Sequence, residues 1–323
     1  MMFPSTKKDF RSGRDPDRIS VIIPCHNYGK FVSDAIESVL RQSYGRFEII
    51  VVDDDSSDNT YEVAGRYSNV RYIRTGRKNV SAARNLGLSQ STGGYVVFLD
   101  ADDRLLPCAF ETGLNALSEH PECPMVFGRY RIINADGSDL NKVQPFISNV
   151  QYLDMLSHNH IGNPGSVIYR AEIFDVVGGF DETLGPAADF EIYLRIGRNH
   201  AIFAHPREVV EYRLHPGNMS KDATLMLDAI MKVFKAQDAY VTADPAYTAA
   251  LQAGMRKYLR HYYYPNIHEL KSRLGDHRWV PALSTARLLS RYYRRDLLAG
   301  MTRALYRLAK GDRGAKDADR FAS

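Results

Sequence analysis

Residues 19–60 read ISVIIPCHNYGKFVSDAIESVLRQSYGRFEIIVVDDDSSDNT, and the order of textures within them decides the fold class. An apolar run with its core at 20–24 leads into a segment whose Phe31, Val32, Ala35, Ile36, Val39 and Leu40 share one helical face. The chain then returns to a run at 47–52 that is apolar at nearly every position. Short runs that are apolar throughout suit strands covered on both faces, and a strand, an amphipathic helix and a second such strand predict a parallel pair joined by a crossover helix. Further out the alternation repeats, with a helix expected at 60–67, a strand at 70–74, a helix at 81–91 and a strand at 95–99. A helix at 107–119, a strand at 125–133 and the turn Ala135-Asp136-Gly137-Ser138 follow. Residues 163–215 mix short strands at 166–169 and 208–213 with a helix near 189–198, and the text is almost entirely helical from Lys221.

The expected fold is therefore α/β: a Rossmann-like, mostly parallel central sheet with flanking helices, plus a C-terminal helical region. Three segments are expected, namely a flexible N-terminal stretch at 1–17, a sheet domain at 18–220 and helices at 221–323. A chain of 323 residues exceeds the usual size of one domain, which agrees with a large domain and an appendage. With 44% hydrophobic and 25% charged residues it is of globular composition, neither disordered nor collagen-like. Cys25, Cys108 and Cys123 are too scattered for a disulfide framework or a zinc knuckle, so a reducing cytoplasm is expected. The N-terminus lacks an apolar core of the signal-peptide kind, and no stretch approaches the ~18 apolar residues of a membrane span.

In an open parallel sheet ligands bind beyond the carboxyl ends of the strands, so acidic residues just after strands carry the functional signal. Two clusters stand there: Asp53-Asp54-Asp55, followed by Ser56, Ser57 and Asp58, and Asp100-Ala101-Asp102-Asp103. Helix capping accounts for Asp55, Ser56, Asp58 and Asp103. It accounts poorly for Asp100 and Asp102, whose Asp-x-Asp spacing lets two carboxylates converge on a seat for Mg²⁺ or Mn²⁺ bridging a diphosphate. After the first strand stands Pro24-Cys25-His26-Asn27 rather than a Gly-x-Gly-x-x-Gly fingerprint, which removes the main support for a dinucleotide-dependent oxidoreductase.

The stretch at 20–60, together with NVSAARNLGLSQSTGGYVVFLDADD at 79–103, resembles the nucleotide-sugar-binding half of family 2 glycosyltransferases, enzymes of the GT-A fold; the likeness extends over roughly 18–220. The resemblance implies transfer of a sugar from a nucleoside-diphosphate sugar, UDP-linked by expectation, to an acceptor hydroxyl with inversion. It implies that Pro24, Asn27 and their turn shape the base pocket, that Asp54 accepts from a uracil-type N–H, and that Arg84 faces the nucleotide. Asp100 then lies near the ribose and metal, and Asp102 binds the Mn²⁺ or Mg²⁺. Asp189, within GGFDETLGPAADFEIYLRI, stands where the family carries its catalytic base, although Ala188 replaces a frequent Glu; a helix N-cap is the plainer reading of the same residue. His215 and Ser220 match a His-x-x-x-x-Ser segment that places His215 near the metal.

Residues 271–323 hold 13 Lys/Arg against 5 Asp/Glu, whereas the whole chain is only +4. Leu288, Leu289, Tyr292, Tyr293, Leu297, Leu298, Met301, Leu305 and Leu308 recur there at helical spacing, with Arg287, Arg291, Arg294, Arg303, Arg307 and Lys310 on another face. Such a helix either docks at the inner face of an anionic membrane or packs on the protein or a second subunit. Tyr262-Tyr263-Tyr264-Pro265 reads as sugar stacking or as packing at a helix end. The partners expected are a nucleotide sugar and a glycan or lipid-linked acceptor, not nucleic acid. A non-catalytic GT-A-like subunit and a sugar nucleotidyltransferase are the alternatives.

Overall fold

A computed structural model describes residues 13–293. Ile19, Val21, Ile22 and Ile23 are fully shielded because β1 (Asp15–Cys25) runs between β2 (Phe47–Asp54) and β4 (Gly93–Phe98), parallel to both. β2 in turn pairs in parallel with β3 (Val70–Thr75). The crossovers are α1 (Val32–Leu40), α2 (Thr60–Ala64) and α3 (Val80–Gln90), as the sequence predicts.

Beyond β4 the sheet changes character. β5 (Arg104–Leu105) and α4 (Ala109–Glu119) lead to β6 (Met125–Asn134) and its hairpin partner β7 (Asp139–Val143). Then come α5 (Tyr152–Ser157), β8 (Val167–Arg170), α6 (Ile173–Val177), α7 (Ala188–Gly197) and β9 (Phe203–Leu214). The nine-stranded sheet runs β3-β2-β1-β4-β8-β6-β9-β5, with β7 attached to β6. β8 is antiparallel to β4 and β6, whereas β6 and β9 form a long parallel ladder. The parallel ladders are the long ones, and the architecture is α/β with a mostly parallel central sheet and flanking helices. β5, β7, α5 and α6 escaped the sequence reading, being two to six residues long and without strong periodicity.

Residues 15–17, expected within a flexible leader, instead begin β1. Arg46 reaches Asp15 at 3.1 Å and Asp17 at 2.9 Å, and Asp15 N–H donates to the Thr92 carbonyl. α8 (Ala223–Val241) buries Leu227, Val233 and Phe234, the last against Phe190 of α7. The described chain divides into two compact units between Lys257 and Tyr258, inside α9 (Pro245–Gly275). Tyr262–Pro265 lies in the interior of that helix rather than at its end. In the second unit Arg273 donates to Thr285 Oγ1 at 2.6 Å and Tyr293 Oη donates to the Leu259 carbonyl at 2.6 Å. The apolar and basic positions expected from Arg294 to Lys310 lie outside the described residues. Among the described residues, no helix is long and apolar enough to cross a membrane.

α3 approaches the sheet closely at Gly87, where a Cβ would stand 2.4 Å from Ile22 Cγ2 and 3.2 Å from Val52 Cγ2. Both neighbours are stiff β-branched side chains without exposure. Gly87→Ala is therefore expected to destabilise by ~1–3 kcal/mol through overpacking, although alanine alone favours a helix. Urea unfolding checks this, an unchanged or raised midpoint being the contrary result.

Candidate active site

The order of strands reverses between β1 and β4: β2 and β3 lie to one side of β1, and the chain returns on the other. A crevice opens at such a switch point, beyond the strand ends. On its β1–β2 rim, buried Pro24 closes β1 opposite Val52. Asn27 follows in the left-handed region at φ 58°, which asparagine tolerates. Its N–H donates to Ser56 Oγ at 2.8 Å and its Oδ1 accepts from Ser57 N–H at 2.8 Å, so the exposed turn is stitched to the end of β2. His26 Nδ1 stands 2.6 Å from the Asp54 carbonyl oxygen and Nε2 lies 3.1 Å from Asn27 Nδ2, which places the proton on Nδ1.

The three carboxylates after β2 have separate fates. Asp53 is buried under Ser56 N–H and the Tyr72 hydroxyl, whereas Asp55 is half-buried beside Arg74 and Lys78. Asp54, also buried, accepts from the backbone N–H of Lys78 at 2.8 Å and from that of Asn79. Its oxygens keep further lone pairs, since each can accept more than once. None of Asp55, Ser56 and Asp58 is the N-cap of α2: that position is Asn59, without a side-chain cap bond, and Asp58 staples Gly29 N–H to Thr60 N–H.

At the end of β4 the structure divides what the sequence placed together. Asp100 accepts from Arg84 at 2.7 Å, while Asp102 Oδ2 meets His215 Nε2 at 2.9 Å and Asn218 Nδ2 at 3.3 Å. Gly217 N–H donates to His215 Nδ1, so Nε2 carries the proton that faces Asp102. Burial and the Asp100 charge push the Asp102 carboxyl above its ordinary range, opposed by the His215 hydrogen bond. Asp103 caps no helix: it is fully buried, accepts from Asn163 Nδ2 at 2.6 Å and Arg213 N–H at 2.8 Å, and is held well above the usual carboxylate range by burial and by the charges of Asp102 and Asp100, against the pull of those two hydrogen bonds. Among the described residues no group of three or more His, Cys, Asp or Glu is arranged to hold a metal by itself. Asp102 and His215 form a two-member oxygen–nitrogen set that could hold a divalent ion once the Nε2 proton is released, because a ligating imidazole nitrogen needs its lone pair free.

Asp189 lies one residue inside α7, whose N-cap is Ala187, so it is not the cap. Its Oδ1 accepts from Phe190 N–H at 2.7 Å. Burial raises its pKa to about 6, against the pull of the Arg84 guanidinium, and the Asp100 charge adds to the rise. Arg84 is itself buried, its Nε lacks a hydrogen-bond partner, and it stands between Asp100 and Asp189 as the cation both carboxylates feel.

Residues 20–178 match the model of the family described as Glycosyl transferase family 2. They are a family 2 glycosyltransferase domain. An uncharacterized glycosyltransferase of Rickettsia felis is 29% identical over 226 residues, 67% of this chain and 37% of the relative. The putative teichuronic acid biosynthesis glycosyltransferase TuaG of Bacillus subtilis is 33% identical over 45% of this chain and 59% of its own. The chain spans about a third of the length of the Rickettsia relatives it matches first. In fold it is similar to S. aureus TarS 1–349 in complex with UDP-GlcNAc, with a TM-score of 0.62 at 17% identity over 85% of this chain and 81% of that one. Mannosyltransferase PcManGT from Pyrobaculum calidifontis, in complex with GDP-Man and Mn²⁺, gives 0.55 at 17% identity over 91% and 83%.

Sequence reasoning passed over Arg213, the largest fully buried side chain among the described residues. Its Nε donates to the Asp102 carbonyl at 2.7 Å, Nη1 to the Ala135 carbonyl at 3.0 Å and Nη2 to Asp34 at 2.7 Å; its guanidinium also covers Phe31, which packs on the His215 ring. Adjacency to His215 was the one signal available. Arg213→Met takes the donor from two backbone carbonyls and from Asp34 and should cost ~1–3 kcal/mol, read as a fall in the urea midpoint; an unchanged midpoint would remove Arg213 from the framework of the site.

Proposed function

We propose that this protein transfers a sugar from a nucleoside-diphosphate sugar, UDP-linked, to the hydroxyl of a glycan or lipid-linked acceptor, with inversion at the anomeric carbon. The observation that carries the reading is the convergence of Arg84, Asp100, Asp102, His215 and Asp189 on the switch-point crevice, from α3, the end of β4, the end of β9 and the start of α7. A UDP donor accords with the acceptor-only carboxylate of Asp54 at the β1–β2 rim and with the UDP-GlcNAc complex of the similar TarS fold. A cell-surface polymer as acceptor accords with the name of the Bacillus relative.

In this reading Pro24, Asn27 and Asp54 seat the base, and Asp102 with His215 would hold the Mn²⁺ or Mg²⁺. The bound ion supplies Lewis-acid neutralisation of the departing diphosphate. Arg84 keeps Asp100 in place and adds positive charge. Asp189 takes the proton of the acceptor hydroxyl as it attacks the anomeric carbon, and a base with a pKa of about 6 is ionised at neutral pH while still holding a proton usefully.

Three outcomes test this. A thermal-shift screen of UDP, GDP, dTDP and CDP with and without Mn²⁺ should show one metal-dependent rise, because a ligand that binds only the native state stabilises it; no shift with any nucleotide removes the reading. Asp189→Asn should lower transfer ~10³-fold or more while nucleotide binding stays within a few-fold, and Asp102→Ala should weaken metal and donor binding together. The third outcome concerns pH. The Asp189 carboxyl is raised to about 6 in the fold against an ordinary 3.8, so its contribution to stability is full below 3.8 and lost as pH rises through about 6. Asp189→Asn is expected to raise the melting temperature at pH 8 and leave it nearly unchanged at pH 4; equal shifts at both would contradict the elevated pKa.

A further inference from the structure

We propose that Asn85 is a positioning residue of the reaction: its side-chain amide clamps the backbone of Phe180 and so fixes the strap at 178–187 that leads into Asp189. The proposal rests on the glycosyltransferase reading and adds to it a residue that neither binds the donor nor moves the proton.

The clamp is reciprocal. Asn85 Nδ2 donates to the Phe180 carbonyl at 2.9 Å, and Phe180 N–H donates to Asn85 Oδ1 at 2.8 Å. An amide side chain reads a peptide unit in this way because it carries one acceptor and one donor group in a plane, like the backbone itself. The sequence Gly178-Gly179 then acquires two different reasons. Gly178 is in the left-handed region at φ 79°, where a side chain strains the backbone. Gly179 is not; a Cβ there would meet Asn85 Oδ1 at 2.4 Å and Cγ at 3.0 Å, and the third nearest atom also belongs to Asn85. Gly179 is small so that Asn85 can reach past it.

Every other fastening of the strap agrees with a fixed element. The Phe180 ring packs edge-on against Phe98 of β4 at 4.7 Å, beneath the Arg84 guanidinium at 5.3 Å. Arg195, on α7 with Asp189, donates to the carbonyls of Val177 and Gly179 at 2.8 Å each. Asn79 donates to the Glu182 carbonyl at 2.7 Å, and Arg77 pairs with the Glu182 carboxylate at 2.6 Å. Consecutive residues of α3 thus serve the two halves of the reaction: Arg84 holds Asp100 on the donor side and Asn85 holds the strap that ends in the base. The Lys78–Asn79 backbone that grips Asp54 belongs to the same assembly.

The test is a double-mutant cycle of Asn85→Ala, Gly179→Ala and the pair, read on turnover of the nucleotide sugar to acceptor or to water, on nucleotide affinity and on melting temperature. Asn85→Ala is expected to lower kcat ~30–100-fold, the scale of an ångström-sized misplacement of a reacting group, with the Kd for the nucleotide within about twofold. Gly179→Ala alone should lower both kcat and melting temperature, yet add nothing in the Asn85→Ala background, where the obstructing atoms are gone. Asn85→Asp, which can accept from Phe180 N–H but turns a carboxylate oxygen toward the Phe180 carbonyl and the Glu182 carboxylate, should lose at least as much kcat as Asn85→Ala. An active wild type whose Asn85→Ala form melts lower but keeps kcat overturns the proposal and leaves Asn85 as a prop of the fold. Additive effects of the two substitutions overturn it as well. A wild type that turns over no nucleotide sugar overturns the functional reading itself, a result separate from either of these.

Discussion

Three carboxylates in four residues, at the end of a strand that water scarcely reaches, repel one another, and the arrangement of the crevice answers that repulsion. Asp100 is matched by Arg84, Asp102 by the Nε2 proton of His215, and Asp103 by Asn163 and the backbone of Arg213. Each partner comes from a different element: α3, the segment after β9, the turn before β8 and β9 itself. A buried charge is tolerated only when paired and hydrogen-bonded, so the sheet has to bring these elements to one place.

The mixed half of the sheet does so. β8 turns the sheet antiparallel beside β4, and the long β6–β9 ladder then returns the end of β9 to the turn at 100–103. Arg213 completes the closure by bonding the Asp102 carbonyl, the Ala135 carbonyl and Asp34 of α1. The acidic turn is therefore braced from both halves of the first unit. α3 has a similar double part: its glycine lets it lie close on β1 and β2, and its Arg84 and Asn85 reach Asp100 and the strap.

This arrangement sets burial against ionisation at the same atoms. Asp102, Asp103 and Asp189 are all raised by burial, which means that the folded state disfavours their ionised forms. Arg84, buried with an unpartnered Nε, is a second such concession. Groups held in that state by their surroundings respond strongly to a cation or a phosphate, because little solvent screens the interaction.

The parallel half of the fold was legible because its strands are apolar on both faces and its helices amphipathic, so local pattern and tertiary place agree. The same holds for the position of the Asp-x-Asp turn after a strand, and for His215 as a residue of interest. Asp55, Ser56, Asp58 and Asp103 were legible only as caps, and the structure gives them other work: Asp103, for one, finds its partners 60 and 110 residues away. By itself the sequence determined which residue types stand at the strand ends, and so the class of chemistry and the doubly wound core, since burial of apolar runs is a local property of composition and period. Only the tertiary structure decided which carboxylate meets which cation, that Asp100 and Asp102 part company, and why Gly179 must be glycine, because these depend on contacts between elements whose separation along the chain leaves no periodic trace.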